Sequence, residues 1–190
     1  MASVPKLRPA SPKDIPQICD IDTDASSKFG TIPALADLAD GSHGPLEAAT
    51  VEEWLSSGDV YVLDDGANLL GFIALQPKDE VLYVAELSVL MSQQGRGLGG
   101  MLLEKAFDQA RAITQVVGGD VAKVSLTTYP DVPWNGRWYR KHGFKEVEPH
   151  SVGPWHIEKA RQDDKDLARP GFRRCCMLRE EVIEERNTNT

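Results

Sequence analysis

Gln94-Gly95-Arg96-Gly97-Leu98-Gly99-Gly100 is the stretch on which the reading of this chain turns. It lies between a long strand-like run, Val81 to about Leu90, and a helical pattern from about Leu98 to Val116. That helix carries Leu102, Leu103, Ala106, Phe107 and Ala110 on one face and ends at Gly118-Gly119. Glycines at a strand-to-helix junction let the backbone approach a ligand, and the unpaired N–H groups of a helix start attract anions. A pyrophosphate suits that chemistry. The plain alternative is a turn that only redirects the chain.

Outward from the loop, the pattern of elements is readable. Upstream, Val60 to Leu63 and Leu69 to Gln76 are strands, joined by the turn Asp64-Asp65-Gly66-Ala67-Asn68. With Pro77-Lys78-Asp79 turning into the Val81 strand, they form an antiparallel meander. Lys6 to Pro9 reads as a first strand. A helix starts at Ser11-Pro12-Lys13-Asp14 and carries Ile15, Ile18, Cys19 and Ile21 as its apolar stripe. Between Asp24 and Gly58 short helical pieces are expected, one of them capped by Thr50. Downstream, Lys123 to Thr128 returns as a strand after the helix, which makes a crossover and a parallel pair. A helix over roughly Pro133 to His142, a strand from Phe144 to Val147 and a last strand from Arg173 to Leu178 complete the order β-α-α-β-β-β-α-β-α-β-β.

The loop can be spelled in two ways. Gly95, Gly97 and Gly100 match G-x-G-x-x-G, a dinucleotide fingerprint. That fingerprint wants an acidic residue about 20 residues on, at the end of the next strand. Here Asp131 lies 31 residues past Gly100, and a meander precedes the loop instead of alternating helices. Both facts weigh against NAD. The other spelling, Gln94-x-x-Gly97-x-Gly99, resembles the R/Q-x-x-G-x-G/A pyrophosphate motif of the GNAT superfamily of acetyl-CoA-dependent N-acetyltransferases. Glu86-Leu87-Ser88-Val89 looks like the end of that family's fourth strand. Trp138-Tyr139-Arg140-Lys141-His142-Gly143-Phe144 looks like its late signature. The likeness runs from about Val60 to Val147, and Thr127 to Asn135 is similar to one subgroup of the family.

The resemblance implies an α/β (α+β) GNAT fold, with a mixed, mostly antiparallel sheet of six to seven strands and about four helices on both faces. It implies a single domain over residues 1–190 with a frayed tail from about residue 180. It also implies acetyl-CoA as co-substrate. The pantetheine arm would lie on the splayed strand at Leu87, Ser88 and Val89, and the pyrophosphate on Gln94, Gly95, Arg96, Gly97, Leu98, Gly99 and Gly100. Many members place a coenzyme-binding asparagine six residues before the signature tyrosine; that position is Pro133 here, and Asn135 is the nearest asparagine.

Acetyl transfer to a primary amine asks for proton removal, because an amine of pKa about 10.4 is almost wholly ammonium near neutral pH. Glu86, a carboxylate inside an apolar strand, is the first candidate for a base or water relay. Strand alternation puts it on one face with Val84 and Ser88. Acceptor binding without proton transfer, or a structural salt bridge, are its other readings. By the resemblance Tyr139 is the general acid that protonates the departing thiolate, a half-buried aromatic being the alternative. Trp134 and Trp138 read as a core stripe, and His43, His142, His150 and His156 receive no chemistry.

Composition sets the outer limits. A hydrophobic fraction of 41% is that of a globular core, and a net charge of −8 argues against nucleic-acid binding. No apolar run reaches the roughly 20 residues of a membrane helix, and MASVPKLRPASPKD has no stretch that could serve as a secretory signal. A cytoplasmic protein, monomer or homodimer, is expected. Cys19, Cys175 and Cys176 make neither a disulfide framework nor a metal site, so no metal is expected. The 25 residues between Val147 and Arg173 read as a long specificity loop. Its Glu158, Asp163, Asp164 and Asp166 are either cation-recognising or a solvated charge run. The acceptor is expected to be a small-molecule amine. A protein lysine or N-terminus, and a non-catalytic acyl-CoA-binding module, are the alternatives.

Overall fold

The computed structural model describes residues 4–39 and 45–183. Its centre is the strand run whose residues are apolar with little alternation. Leu69–Lys78 (β3) is buried from Leu69 through Gln76, as befits a strand covered on both faces. It is flanked by Asp59–Asp64 (β2) and Val81–Val89 (β4), and the seven-stranded sheet has the order β1-β2-β3-β4-β5-β7-β6. Here β1 is Lys6–Pro9, β5 Val121–Thr128, β6 Lys145–Val147 and β7 Cys175–Val182. Every pair is antiparallel except β4 with β5.

Ile15–Ser26 (α1) and Ala48–Ser57 (α2) cover one face, burying Ile15, Ile18, Ile21 and Val51 against Val60, Val62 and Phe72. Leu98–Val116 (α3) covers the other, and its Leu102, Leu103, Ala106 and Phe107 are fully buried at helical spacing, the three larger side chains each worth about 1.5–3 kcal/mol of apolar burial. Gly136–Lys141 (α4) lies on the same side, and Phe144 just after it packs edge-on to Phe107 at 5.8 Å.

Outside the site, the structure departs from the sequence reading in four places. The segment read as a long loop holds a fifth helix, Pro154–Asp166 (α5), of which only His156 and Asp163 are buried. With no apolar stripe, nothing in its periodicity announced it. Asp163 is no solvated charge: it sits between Lys159, at 2.5 Å, and Arg174, at 3.3 Å. Thr50 lies inside α2, whose cap position is Glu47, because Ala48 and Ala49 extend the helix backwards. Residues Glu180 to Val182, read as tail, are the end of β7 paired to β5, and residues 184–190 lie outside the described part. His43 also lies outside it.

A buried polar chain pins α5 to the sheet. Asp79, in the β3–β4 turn at φ +50°, accepts hydrogen bonds from the Trp155 and His156 backbone N–H groups and contacts His156 Nδ1 at 2.8 Å. His156 Nε2 meets the Ser125 hydroxyl at 2.8 Å. Ser125 and His156 are sealed in the interior, away from the cavity described next, so this chain is a staple. Burial pushes the Cys175 thiol up to about 11 and the Cys176 thiol to about 12, which keeps both protonated. Among the described residues no helix is long and apolar enough to cross a membrane.

Candidate active site

A wedge in the sheet makes the site. β4 and β5 pair only over Leu82–Val84 with Val124–Leu126, and beyond that the strands part. The β3–β4 register also shifts between Ala74 and Leu75, leaving Ala85 as an extra residue on β4. This bulge bends the strand and reverses its alternation. Val84 therefore lies on the α3 side with Leu87 and Val89, while Ala85 and Leu90 pack on the α1 side. The expectation that Val84 shares a face with Glu86 and Ser88 is thus overturned: Ser88 points to α1, where it meets Asp22.

The register also decides which backbone groups face the gap. The Leu90 N–H bonds the Leu70 carbonyl, so by alternation Ser88 and Glu86 exchange hydrogen bonds with β3. The N–H and C=O groups of Leu87 and Val89 then point towards β5. They are edge groups at the height where a chain of amides can pair with them. The Leu87 N–H is held at 3.0 Å by the Glu86 carboxylate, and the Val89 carbonyl accepts from Gln94 Nε2 at 3.1 Å. Ser88, expected to help hold the cofactor, has its backbone turned to β3.

The wedge opens into a cavity of about 920 Å³ that runs from the glycine loop to Tyr129 and Arg174. Gly95 and Gly97 have φ of +76° and +82°, in the left-handed region, and Gly97 is the cap residue of α3. The first N–H groups of that 19-residue helix, from Leu98, Gly99 and Gly100, have no acceptor within the helix and face the mouth with its positive dipole end. Gly99 has a second reason to be small, since a Cβ there would lie 3.2 Å from Trp138. Leu98 is buried and contributes backbone only. Arg96 is exposed, bonds Gln93 and does not line the cavity. Gln94 lines it but its side chain is engaged by the Val89 carbonyl and by Lys28, at 2.8 Å.

Opposite the loop, Asn135 caps α4 and its carbonyl receives the Tyr139 N–H. Trp134 and Trp138, expected as core, each pack against a core cluster and also line the cavity: Lys28 Nζ stands 4.9 Å from the Trp134 ring centre. Gly136 fits because Pro130 crosses it; a Cβ would meet the Pro130 carbonyl oxygen at 2.2 Å.

At the floor stand Tyr139, Glu86 and a group the sequence reading missed, Asp22 on α1. Burial and the nearby Glu86 charge push the Tyr139 phenol well up, so it keeps its proton. Burial also raises Glu86, opposed by hydrogen bonds from the Leu87 N–H and Ser88 and by the charges of Arg174 and Lys159. Asp22 is pushed up to about 7, by burial first and then by Glu86, with the Ser88 hydrogen bond working the other way. Arg174 was missed as well. It lies over the Tyr129 ring at 4.7 Å and donates to the Thr127 carbonyl and hydroxyl. Asp22 stands in an ordinary helix pattern, and only the fold brings it to β4.

Residues 56–146 match the family model described as acetyltransferase (GNAT) domain. Solved structures of the same fold include the ribosomal-protein-S18-alanine N-acetyltransferase of Escherichia coli, at 15% identity and TM-score 0.62, with 98% of this chain and 99% of that one covered. Ard1 from Thermoplasma volcanium aligns at 16% identity and TM-score 0.62, covering 95% of this chain and 99% of that one. N-acetylglutamate synthase from Neisseria gonorrhoeae, complexed with coenzyme A and N-acetyl-glutamate, aligns at 19% identity and TM-score 0.66, covering 97% of this chain and 36% of that one.

Proposed function

Given that this chain carries a GNAT acetyltransferase domain, we propose that it moves the acetyl group of acetyl-CoA to a primary amine of a small molecule, by direct attack in a ternary complex. One observation carries this reading: a single cavity joins the α3 N-terminus, the parted β4 and β5 edges, and a floor with Glu86 and Tyr139. The pyrophosphate would sit on the Gly95–Gly100 N–H groups. The pantetheine amides would pair with Leu87 and Val89 as an added strand, the arm running down the wedge toward Glu86. The coenzyme-bearing neighbour noted above supports this cofactor.

The thioester then lies near the Leu87 N–H, which can face the oxyanion once the Glu86 carboxylate gives it up. Glu86 takes the ammonium proton. The freed amine attacks, the N–C bond forms and the C–S bond breaks. The thiolate leaves with the proton of Tyr139, and the surplus proton on nitrogen restores the phenol. Keeping the phenol protonated at working pH suits that role. Residues of α1, α2 and the Trp134 segment line the cavity beside Glu86 and Tyr139, which leaves room for a compact amine to reach both groups.

The test is a panel of small amines, lysine-bearing peptides and peptide N-termini, assayed for CoA thiol release with Glu86→Gln as control. Release with small amines that falls by about 100-fold or more in Glu86→Gln supports the reading. Release only with peptides, or none with any amine while CoA binds, overturns it.

A further inference from the structure

Asp22 and Glu86 reach the cavity floor from positions 64 residues apart, and the Ser88 hydroxyl lies between them, 3.3 Å from Asp22 Oδ1 and 3.2 Å from Glu86 Oε1. A hydroxyl has one proton and donates to one carboxylate at a time. Both contacts are hydrogen bonds together only when one of the carboxyls carries a proton and donates it back to the Ser88 oxygen. The three groups are therefore built for one extra proton. Two bare carboxylates here would repel in a poorly solvated site, and among the described residues neither has an ion-pair partner.

The surroundings relieve that repulsion only in part. From α1, Cys19 and Asp20 lie beside Asp22, and Glu47, just ahead of α2, lines the same cavity. Tyr83 on β4 and Tyr139 on α4 are neutral phenols. The cations that bear on Glu86 are Arg174 and Lys159, and both are engaged by Asp163. Lys28 lines the same cavity, but its ammonium donates to Gln94 and stands over Trp134; the pair takes its cation from outside, and an acceptor amine arrives as one.

The geometry points to Asp22 and Glu86 acting as one base: bridged by Ser88, the pair binds the acceptor ammonium and takes up the proton it loses before attack. This rests on the amine-acetylating reading above. The step balances as R–NH3⁺ plus the doubly ionised pair giving R–NH2 plus the singly protonated pair, whose proton leaves to water after product release. A lone carboxylate with a pKa near 4 accepts little from an ammonium. Burial and the second negative charge raise the pair's upper pKa towards neutrality, with Asp22 at about 7.

The experiment is a carboxyl-carbon NMR titration of the full chain, labelled at Asp and Glu, as wild type, Asp22→Asn and Ser88→Ala. In the wild type the Glu86 resonance is expected to titrate in two steps, the upper one around pH 7. In Asp22→Asn, an isosteric change, the upper step disappears and Glu86 titrates once. Ser88→Ala keeps both carboxylates and moves the upper step without removing it. The kinetic counterpart is a kcat/KM profile that falls about tenfold per pH unit below that step, a limb that Asp22→Asn moves to lower pH while acetyl-CoA binding is unchanged. A single-step Glu86 titration in the wild type, or the same profile in Asp22→Asn, overturns the pairing. Because the titration needs no turnover, a protein that shows two steps but acetylates no amine fails the activity reading alone.

Discussion

Gly97→Ala and Gly97→Glu, taken together, test the anion site at the start of α3. Gly97 holds φ +82° and a Cβ there would touch nothing within 4 Å, so alanine adds backbone strain and no clash. A non-glycine residue in the left-handed region costs roughly 1–2 kcal/mol. For a chain of this length that lowers Tm by about 2–8 °C, and both variants should show it. Acetyl-CoA at 100 times its Kd stabilises the native protein by about 2.7 kcal/mol, or about 5–11 °C. Alanine should keep that rise. Glutamate puts a negative charge about 4 Å from a bound phosphate, which costs about 1 kcal/mol with the screening of bulk water and about 4 with that of a protein surface. A loss of about 3 kcal/mol weakens binding about a hundredfold and leaves roughly 0.4 kcal/mol of stabilisation, a shift of about 1 °C. The assay is thermal unfolding with and without acetyl-CoA, CoA and NADH. Equal rises in Gly97→Glu and Gly97→Ala, or a rise in the wild type with NADH alone, would refute the assignment of a coenzyme A pyrophosphate to this loop.

Three further outcomes follow from the geometry. Tyr139→Phe is expected to lower kcat by about 10²–10⁴-fold with the Kd for acetyl-CoA little changed, and a change in kcat under threefold would remove the phenol from the proposed mechanism. Asp79→Asn keeps a residue that tolerates φ +50° but leaves one acceptor oxygen for three donors; losing about 1.5–3 kcal/mol should lower Tm by about 3–12 °C, measured by calorimetry. Asp22 has a folded pKa raised above its unfolded value near 3.9, so its ionisation costs the native state stability as pH rises from about 4 through 7. Asp22→Asn should therefore be more stable than wild type at pH about 8, by an amount that shrinks as pH falls towards 4, read from Tm against pH.

What could be read before the fold was local in nature. The meander, the glycine loop and α3 announce themselves because strand alternation, turn residues and a helical apolar stripe are properties of neighbours in the chain. Leu98–Val116 was bounded correctly by its own glycines and its own stripe. Glu86 stood out for the same reason, as an acid in an apolar run. What only the tertiary structure decided concerns groups that meet across the chain. The bulge at Ala85 puts Val84 on the α3 side while Ser88 points towards α1, a register effect between two strands that no single strand encodes. Helix α5 is held by Asp79 and by Asp163 through buried polar contacts, so its sequence looks like a solvated loop. Asp22 is one acid among several on a helix, and its chemistry exists only because α1 crosses β4 at Ser88, where burial and a second carboxylate make one proton hard to lose.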